Sequence, residues 1–339
     1  MASTALLQFE IDLPLIALAK KIGVPAAQRA WRLSVSAVQA LAHIVREERI
    51  RCDFQPRRSL YLAGTAYGSR ALRAEVDART DAGIDGRFVK RNELLEHYGI
   101  DRTGAIESPG SASANPAQLT AALLRRCITQ GARIYAPADV QAVATDQAGV
   151  MLALASGPVI RATTAIFCTG YELLKAMPLD GHAVKSTWAI ATHPLANLPS
   201  WIRSTLVWEA SNPYLYIRAT SDGRILAGGE DEDSGTRHAD RATLLHKSRT
   251  IVRQLEGLLP SLSLRVSHRW AGAFGESPTG LPIIDAVPGL PHCYSATGFG
   301  GNGITHSVIA AKVIVAALTG TPDVDADLFR APSARTQPR

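Results

Sequence analysis

The sequence predicts the α/β class, in detail an α+β chain of two domains with a mostly antiparallel sheet inserted into a discontinuous helix-and-strand domain. Three observations predict it. At 339 residues the chain exceeds the usual span of one domain. Helical periodicity dominates both ends, whereas the middle breaks into short strands separated by turn residues. With 46% hydrophobic and 19% charged residues there is material for a large core, which excludes disorder and fibrous repeats.

A helix is expected over 26–48, where Ala30, Leu33, Ala37, Leu41, Ile44 and Val45 recur at helical spacing. A strand follows at 59–63, closed by Gly64, and the charged stretch 69–98 reads as two helical pieces split near Gly83 and Gly86. Residues 106–113 show no periodicity. Asn115-Pro116 then opens an amphipathic helix over 117–130, stopped by Gly131. Four short strands are expected at 133–135, 140–144, 150–154 and 159–167. In the β-rich block 185–229, Tyr214, Tyr216, Arg218 and Thr220 share one strand face, and Leu215, Ile217 and Ala219 the other. The apolar face belongs to a core and the Tyr/Arg face to a cavity or solvent. A last amphipathic helix before the C-terminal segment is expected over 241–259, ended by Pro260.

Composition narrows the function classes. The apolar stretch 308–318 is interrupted by Lys312 and is about half of the roughly 20 residues a membrane span needs, so no span is expected. Glu10 and Asp12 interrupt the first apolar residues, which argues against a secretory signal. Cys52, Cys127, Cys168 and Cys293 lack any CxxC spacing and read as reduced thiols of a cytoplasmic protein, with neither a disulfide frame nor a metal site. The net charge of +6 and pI near 9.3 are spread along the chain, so no nucleic-acid partner is expected.

Chemistry concentrates in 291–305, Pro-His-Cys-Tyr-Ser-Ala-Thr-Gly-Phe-Gly-Gly-Asn-Gly-Ile-Thr, a short strand whose four-glycine turn opens an alanine-rich helix. Glycine lets such a turn approach a ligand, and the amides at the helix start can meet ligand oxygens. Gly298, Gly300 and Gly303 match GxGxxG, but no strand precedes Asp323 and too few residues follow Gly303 for a dinucleotide-binding βαβ unit. The turn is therefore read as a helix-start ligand turn.

Residues 2–318 resemble the FAD-dependent oxidoreductase superfamily of D-amino acid oxidase, glycine oxidase and sarcosine oxidase. Ala296–Thr305 resembles its flavin-ring turn, Phe167-Cys-Thr-Gly170 its (A/C)TG motif, and Trp270–Gly275 with Gly280-Leu-Pro-Ile-Ile284 the stretch that returns from substrate to flavin. Ala138-Asp-Val140 lies where the family holds adenine by a Val backbone. The resemblance implies a Rossmann-like FAD-binding domain at 1–50, 105–180 and 276–330, a substrate domain at 51–104 and 181–275, and a disordered tail at 331–339. It implies FAD contacts at Ser3, Thr4, Ala5, Leu6, Val140, Thr169, Gly170, Gly298, Phe299, Gly300, Gly301, Asn302, Gly303, Ile304 and Thr305. The flavin should be non-covalent, because residues 276–282 hold no Cys.

The implied reaction is oxidation of a small-molecule amine or amino acid by hydride transfer to flavin. Tyr216 and Arg218, on one strand face, are the catalytic, substrate-anchoring candidates, an Arg fork being suited to a carboxylate. Residues 273–276, Ala-Phe-Gly-Glu, lack the carboxylate-binding Arg that the resemblance places there, which keeps non-amino-acid amines open. The family's N-terminal strand–GxGxxG–helix has no counterpart before Gly23, and residues 1–8 resemble the segment that follows it. The sequence is accordingly expected to start about one βαβ unit late. The alternative is a truncated, non-catalytic relative that binds FAD weakly or not at all.

Overall fold

The computed structural model describes residues 3–177, 182–321 and 323–331. In chain order the elements begin with β1 (Leu6–Leu7), α1 (Leu15–Ile22), α2 (Val24–Glu47), β2 (Gln55–Leu62), α3 (Ser69–Asp81), β3 (Arg87–Lys90), α4 (Arg91–Tyr98), β4 (Gly104–Ser113) and α5 (Pro116–Thr129). The middle holds β5 (Val140–Asp146), β6 (Gly149–Leu154), β7 (Val159–Ala162), β8 (Ala165–Gly170), β9 (Ala183–Thr192), α6 (Ser200–Ser204), β10 (Thr205–Glu209), β11 (Leu215–Ala219) and β12 (Ile225–Glu232). The chain continues through α7 (Arg241–Leu258), β13 (Val266–Glu276), β14 (Ile283–Ala286), β15 (Cys293–Thr297) and α8 (Gly303–Leu318).

Nine strands form one large sheet in the order β1-β4-β2-β10-β11-β12-β9-β13, with β3 also paired to β4. All its pairings are antiparallel except β2 with β10. A second sheet, β14-β15-β8, contains the parallel pair β15–β8, and a third is the antiparallel β5-β6-β7. This is the mixed α/β architecture expected. One core joins α1, α2 and α8 around Trp31, Leu41 and Ile309, and another lies on the large sheet against α7 around Trp188, Ile217 and Ile251.

Helix starts follow local chemistry. The Asn115 side chain accepts from the amides of Ala117 and Gln118, with Pro116 in the first turn of α5, and Asp240 caps α7 in the same way. Helix α1 borrows its cap from afar: both Glu75 oxygens accept, from the amides of Leu15 and Ile16, each at 2.9 Å. Glu75 and Arg79 are fully buried and bonded at 2.9 Å, and Arg79 also donates to the buried Glu10 at 3.5 Å while its guanidinium lies over the Trp31 ring.

Several expectations are corrected. Helix α1 precedes the first expected helix. Residues 106–113 belong to the long strand β4, which is buried at both ends and packed by α2 and α3, so no alternation is visible. Strand β3 separates the two helical pieces of 69–98, residues 133–135 form no strand, and 159–167 divides between β7 and β8 in different sheets. Ala331, taken as the start of the tail, is 2% exposed and donates its amide to Asp285. Residues 332–339 and the boundary at 180–181 lie outside the described residues.

Candidate functional site

Between Leu6 and Asp12 the side chains alternate. Leu7, Phe9 and Ile11 are packed in the core, whereas Leu6, Gln8, Glu10 and Asp12 line a cleft of about 440 Å³. Its floor comes from the large sheet, where Tyr61, Trp208, Tyr216 and Gly228 stand in register across β2, β10, β11 and β12. The Tyr61 and Trp208 rings stack with centroids 3.7 Å apart. A Cβ at Gly228 would fall 2.2 Å from the Tyr216 hydroxyl, so glycine there makes room for the phenol. Tyr214 lines the cleft beside Tyr216, ring centroids 5.9 Å apart.

The opposite wall is the glycine turn between β15 and α8. Gly300 has φ +60, and a Cβ on it would lie 2.4 Å from the Asp12 carboxylate, so the position favours glycine on both counts. The Gly301 amide donates to Asp12 Oδ2 at 2.6 Å. Asn302 donates to the Glu10 carbonyl and Thr305 to the Gln8 carbonyl at 2.8 Å, which ties the start of α8 to the Leu6–Asp12 segment. His306 Nδ1 lies 3.1 Å from the Phe299 carbonyl and therefore carries the proton. Burial drives its pKa down to about 4, so it stays a neutral imidazole.

Asp12 is open to the cleft, yet enclosure by the surrounding protein pushes its carboxyl up to about 6, with the Gly301 amide opposing and Glu276 and Asp231 adding to the rise. Asp231, half-buried behind Tyr214 and Thr187, is also raised by burial, and its Oδ1 has no hydrogen-bond partner. Burial raises the Tyr214 phenol well above its usual range and the Tyr216 phenol to about 12. Lys185 pairs with Glu276 at 2.8 Å and Asp233 at 3.3 Å.

Of the residues singled out from the sequence, Ser3, Thr4, Ala5, Leu6, Tyr216, Phe299, Gly300, Gly301, Asn302, Gly303 and Ile304 line this one cleft. Gly298 sits at the turn's entry with φ +69, and Thr305 is buried beneath it. Val140 and Thr169 line a separate hollow beside β8, and the Gly170 carbonyl accepts from Thr297 at 2.6 Å. Arg218 is buried, does not line the cleft and donates to the main-chain carbonyls of Thr4, Ala219 and Ala114. Burial and the neighbouring Arg57 lower its pKa to about 10. Tyr214, read from strand parity on the Tyr/Arg face, also lines the cleft. Gln8, Asp12, Thr187 and Trp208 were not singled out; the alternation from Leu6 to Asp12 is the signal that could have found the first two.

A family model described as FAD dependent oxidoreductase (DAO) matches residues 2–317. The chain belongs to the DAO family. A crystal structure of glycine oxidase from Geobacillus kaustophilus matches with a TM-score of 0.80 at 20% identity, covering 97% of this chain and 87% of that one. One of L-proline dehydrogenase from P. horikoshii matches with a TM-score of 0.78 at 16% identity, covering 91% and 84%. The probable oxidoreductase OrdL from Haemophilus influenzae is 20% identical over 314 residues, 89% of this chain and 70% of that protein. The structural likenesses establish the fold.

FAD is the cofactor of the DAO family, and the glycine turn offers backbone donors that fit such a group. Gly300 and Gly301 bring no side chain of their own into the cleft and the Gly301 amide is taken by Asp12, while the α8 start has no side-chain cap, which leaves its first-turn amides for a ligand oxygen. Among the described residues no helix is long and apolar enough to cross a membrane.

Proposed function

We propose that this DAO-family protein oxidises the C–N bond of a small amine or amino acid in the cleft between the glycine turn and the Tyr214/Tyr216 wall. The observation that carries the reading is convergence: the 3–12 segment, the 299–304 turn and the aromatic face of β11 come from distant parts of the chain and line one cavity. Phe299–Ile304 and Ser3–Leu6 would hold the flavin ring, with Val140, Thr169 and Gly170 nearer the adenosine. Residues 1–50, 105–180 and 276–330 are read as the flavin part, and 51–104 and 181–275 as the substrate part.

Amine oxidation removes a hydride from carbon and a proton from nitrogen, leaving an imine that water hydrolyses. FAD, when bound, supplies the hydride acceptor. The chain's own residues bind and orient. Tyr214 and Tyr216 keep their protons at neutral pH and act as packing surfaces and donors rather than bases. Trp208, stacked on Tyr61, gives a rigid floor that excludes water from one side of the substrate. Asp12 is ionised above about 6 and can hold an ammonium at its exposed oxygens. Arg218, engaged with the Thr4 carbonyl, is a positioning residue for the Ser3–Leu6 segment.

The test is anaerobic mixing of FAD-supplemented protein with a panel of amines and amino acids. Bleaching of the oxidised flavin absorbance by at least one of them is the expected result. A protein that takes up FAD and is bleached by none would overturn the proposal.

A further inference from the structure

We infer that the cleft selects a cationic amine that carries no carboxylate, with an uncharged hydrogen-bond acceptor next to Gln8 and Trp208. This rests on the amine-oxidation reading and narrows its substrate class. Among the described residues the cleft is lined by two carboxylates, Glu10 and Asp12, and by no Lys, Arg or His. Glu10 is already answered by Ser59, Ser111 and Arg79, which leaves Asp12 as the charge facing the ligand. Asp231, bonded to Tyr214 and Thr187 just behind the cleft, adds a second carboxyl group and no cation. Lys185, whose charge reaches Asp12, is committed to Glu276 and Asp233, and the Arg218 guanidinium to main-chain carbonyls. A substrate carboxylate would enter a site of like charge with no cation to receive it, whereas an ammonium would meet Asp12 and the faces of Tyr214, Tyr216 and Trp208.

A second, independent observation points to a ligand on the same wall. Gln8 and Trp208 are each 9% exposed and line the cleft, and Gln8 Nε2 and Trp208 Nε1 have no hydrogen-bond partner. Buried donors of this kind are seldom left without an acceptor, and the described residues supply none. Two neutral N–H groups suit an amide, ether or hydroxyl oxygen better than a fully charged anion lacking a counter-ion.

The test titrates benzylamine, benzyl alcohol and benzoate, matched in shape, into the FAD-supplemented full chain by calorimetry near pH 7.5. Benzylamine is expected to bind about tenfold tighter than the alcohol, and benzoate weakest of the three. Asp12→Asn, which keeps an acceptor for the Gly301 amide, should erase most of the amine–alcohol difference, read as the ratio of the two dissociation constants measured on the same variant. Asp231→Asn should reduce the difference by a smaller factor. Benzoate binding as tightly as benzylamine, or an unchanged preference in Asp12→Asn, overturns the inference. Flavin bleaching separates it from the reading it rests on. Cation preference without bleaching by any amine supports the selectivity and counts against oxidation, whereas bleaching by phenylglycine and not by benzylamine supports oxidation and overturns the selectivity.

Discussion

At the residue scale Asp12 decides the most. Its carboxyl is held near 6 by enclosure, with Asp231 and Glu276 raising it and Lys185 and the Gly301 amide lowering it. The proton is therefore bound more tightly in the folded than in the unfolded chain, and this group's contribution to stability is lost as pH rises from about 4 to about 6. Binding of an ammonium runs the other way, because only the carboxylate attracts it. Affinity for benzylamine should rise as pH increases through about 6 in the native chain and stay flat across pH 5–8 in Asp12→Asn, as titrations at stepped pH would show. Gly228→Ala tests the floor: the added methyl meets the Tyr216 hydroxyl at 2.2 Å, and overpacking of this kind costs about 1–3 kcal/mol, measurable by urea unfolding. The Tyr214 and Tyr216 face was legible from strand parity. Parity does not tell a cleft from an interface, which is why Arg218, on the same face, is found under the Thr4 carbonyl instead.

At the scale of elements, the glycine turn is held by what lies on either side of it. Asn302 and Thr305 fasten α8 to the carbonyls of Glu10 and Gln8, so the two walls of the cleft move as one piece. Asn302→Ala leaves the Glu10 carbonyl without its donor and should cost about 1–3 kcal/mol of stability, with weaker FAD uptake followed by flavin fluorescence. Glycine spacing and the run into an alanine-rich helix made this turn readable from residues alone, because steric demand writes itself locally. Strand β4 was not readable. Its Gly104–Ser113 run carries Gly, Ser and Pro, and its partners β1 and β2 lie far away in sequence, so its burial is a tertiary fact without a local pattern. Helix α1 was missed for a related reason, since its amino end is capped by Glu75 from α3 and not by a neighbour.

For the whole molecule, cofactor and cleft should be linked to stability by mass action. FAD at a hundredfold excess over its Kd should stabilise the folded chain by about 2.7 kcal/mol, and a melting temperature that does not move with added FAD would show that the ring-end contacts are not used. Strand β8 ends its sheet with Ile166 45% exposed, while Leu124, Ile128, Val315 and Leu318 are exposed on α5 and α8. Among the described residues the outer edge of β8 is unpaired, and together with these exposed apolar side chains it invites pairing with other chains, so light scattering should grow with protein concentration and fall on substitution Ile166→Lys.

The buried run Glu10–Arg79–Glu75 spans the distance between the cleft and the amino end of α1. Glu10 offers its carbonyl to the turn and its carboxylate to Arg79, so a ligand that clamps the turn also restrains the charge that orients Glu75. Deuterium uptake at the Leu15 and Ile16 amides should therefore slow when the cleft is filled, giving a reporter of occupancy at a helix that never touches the occupant.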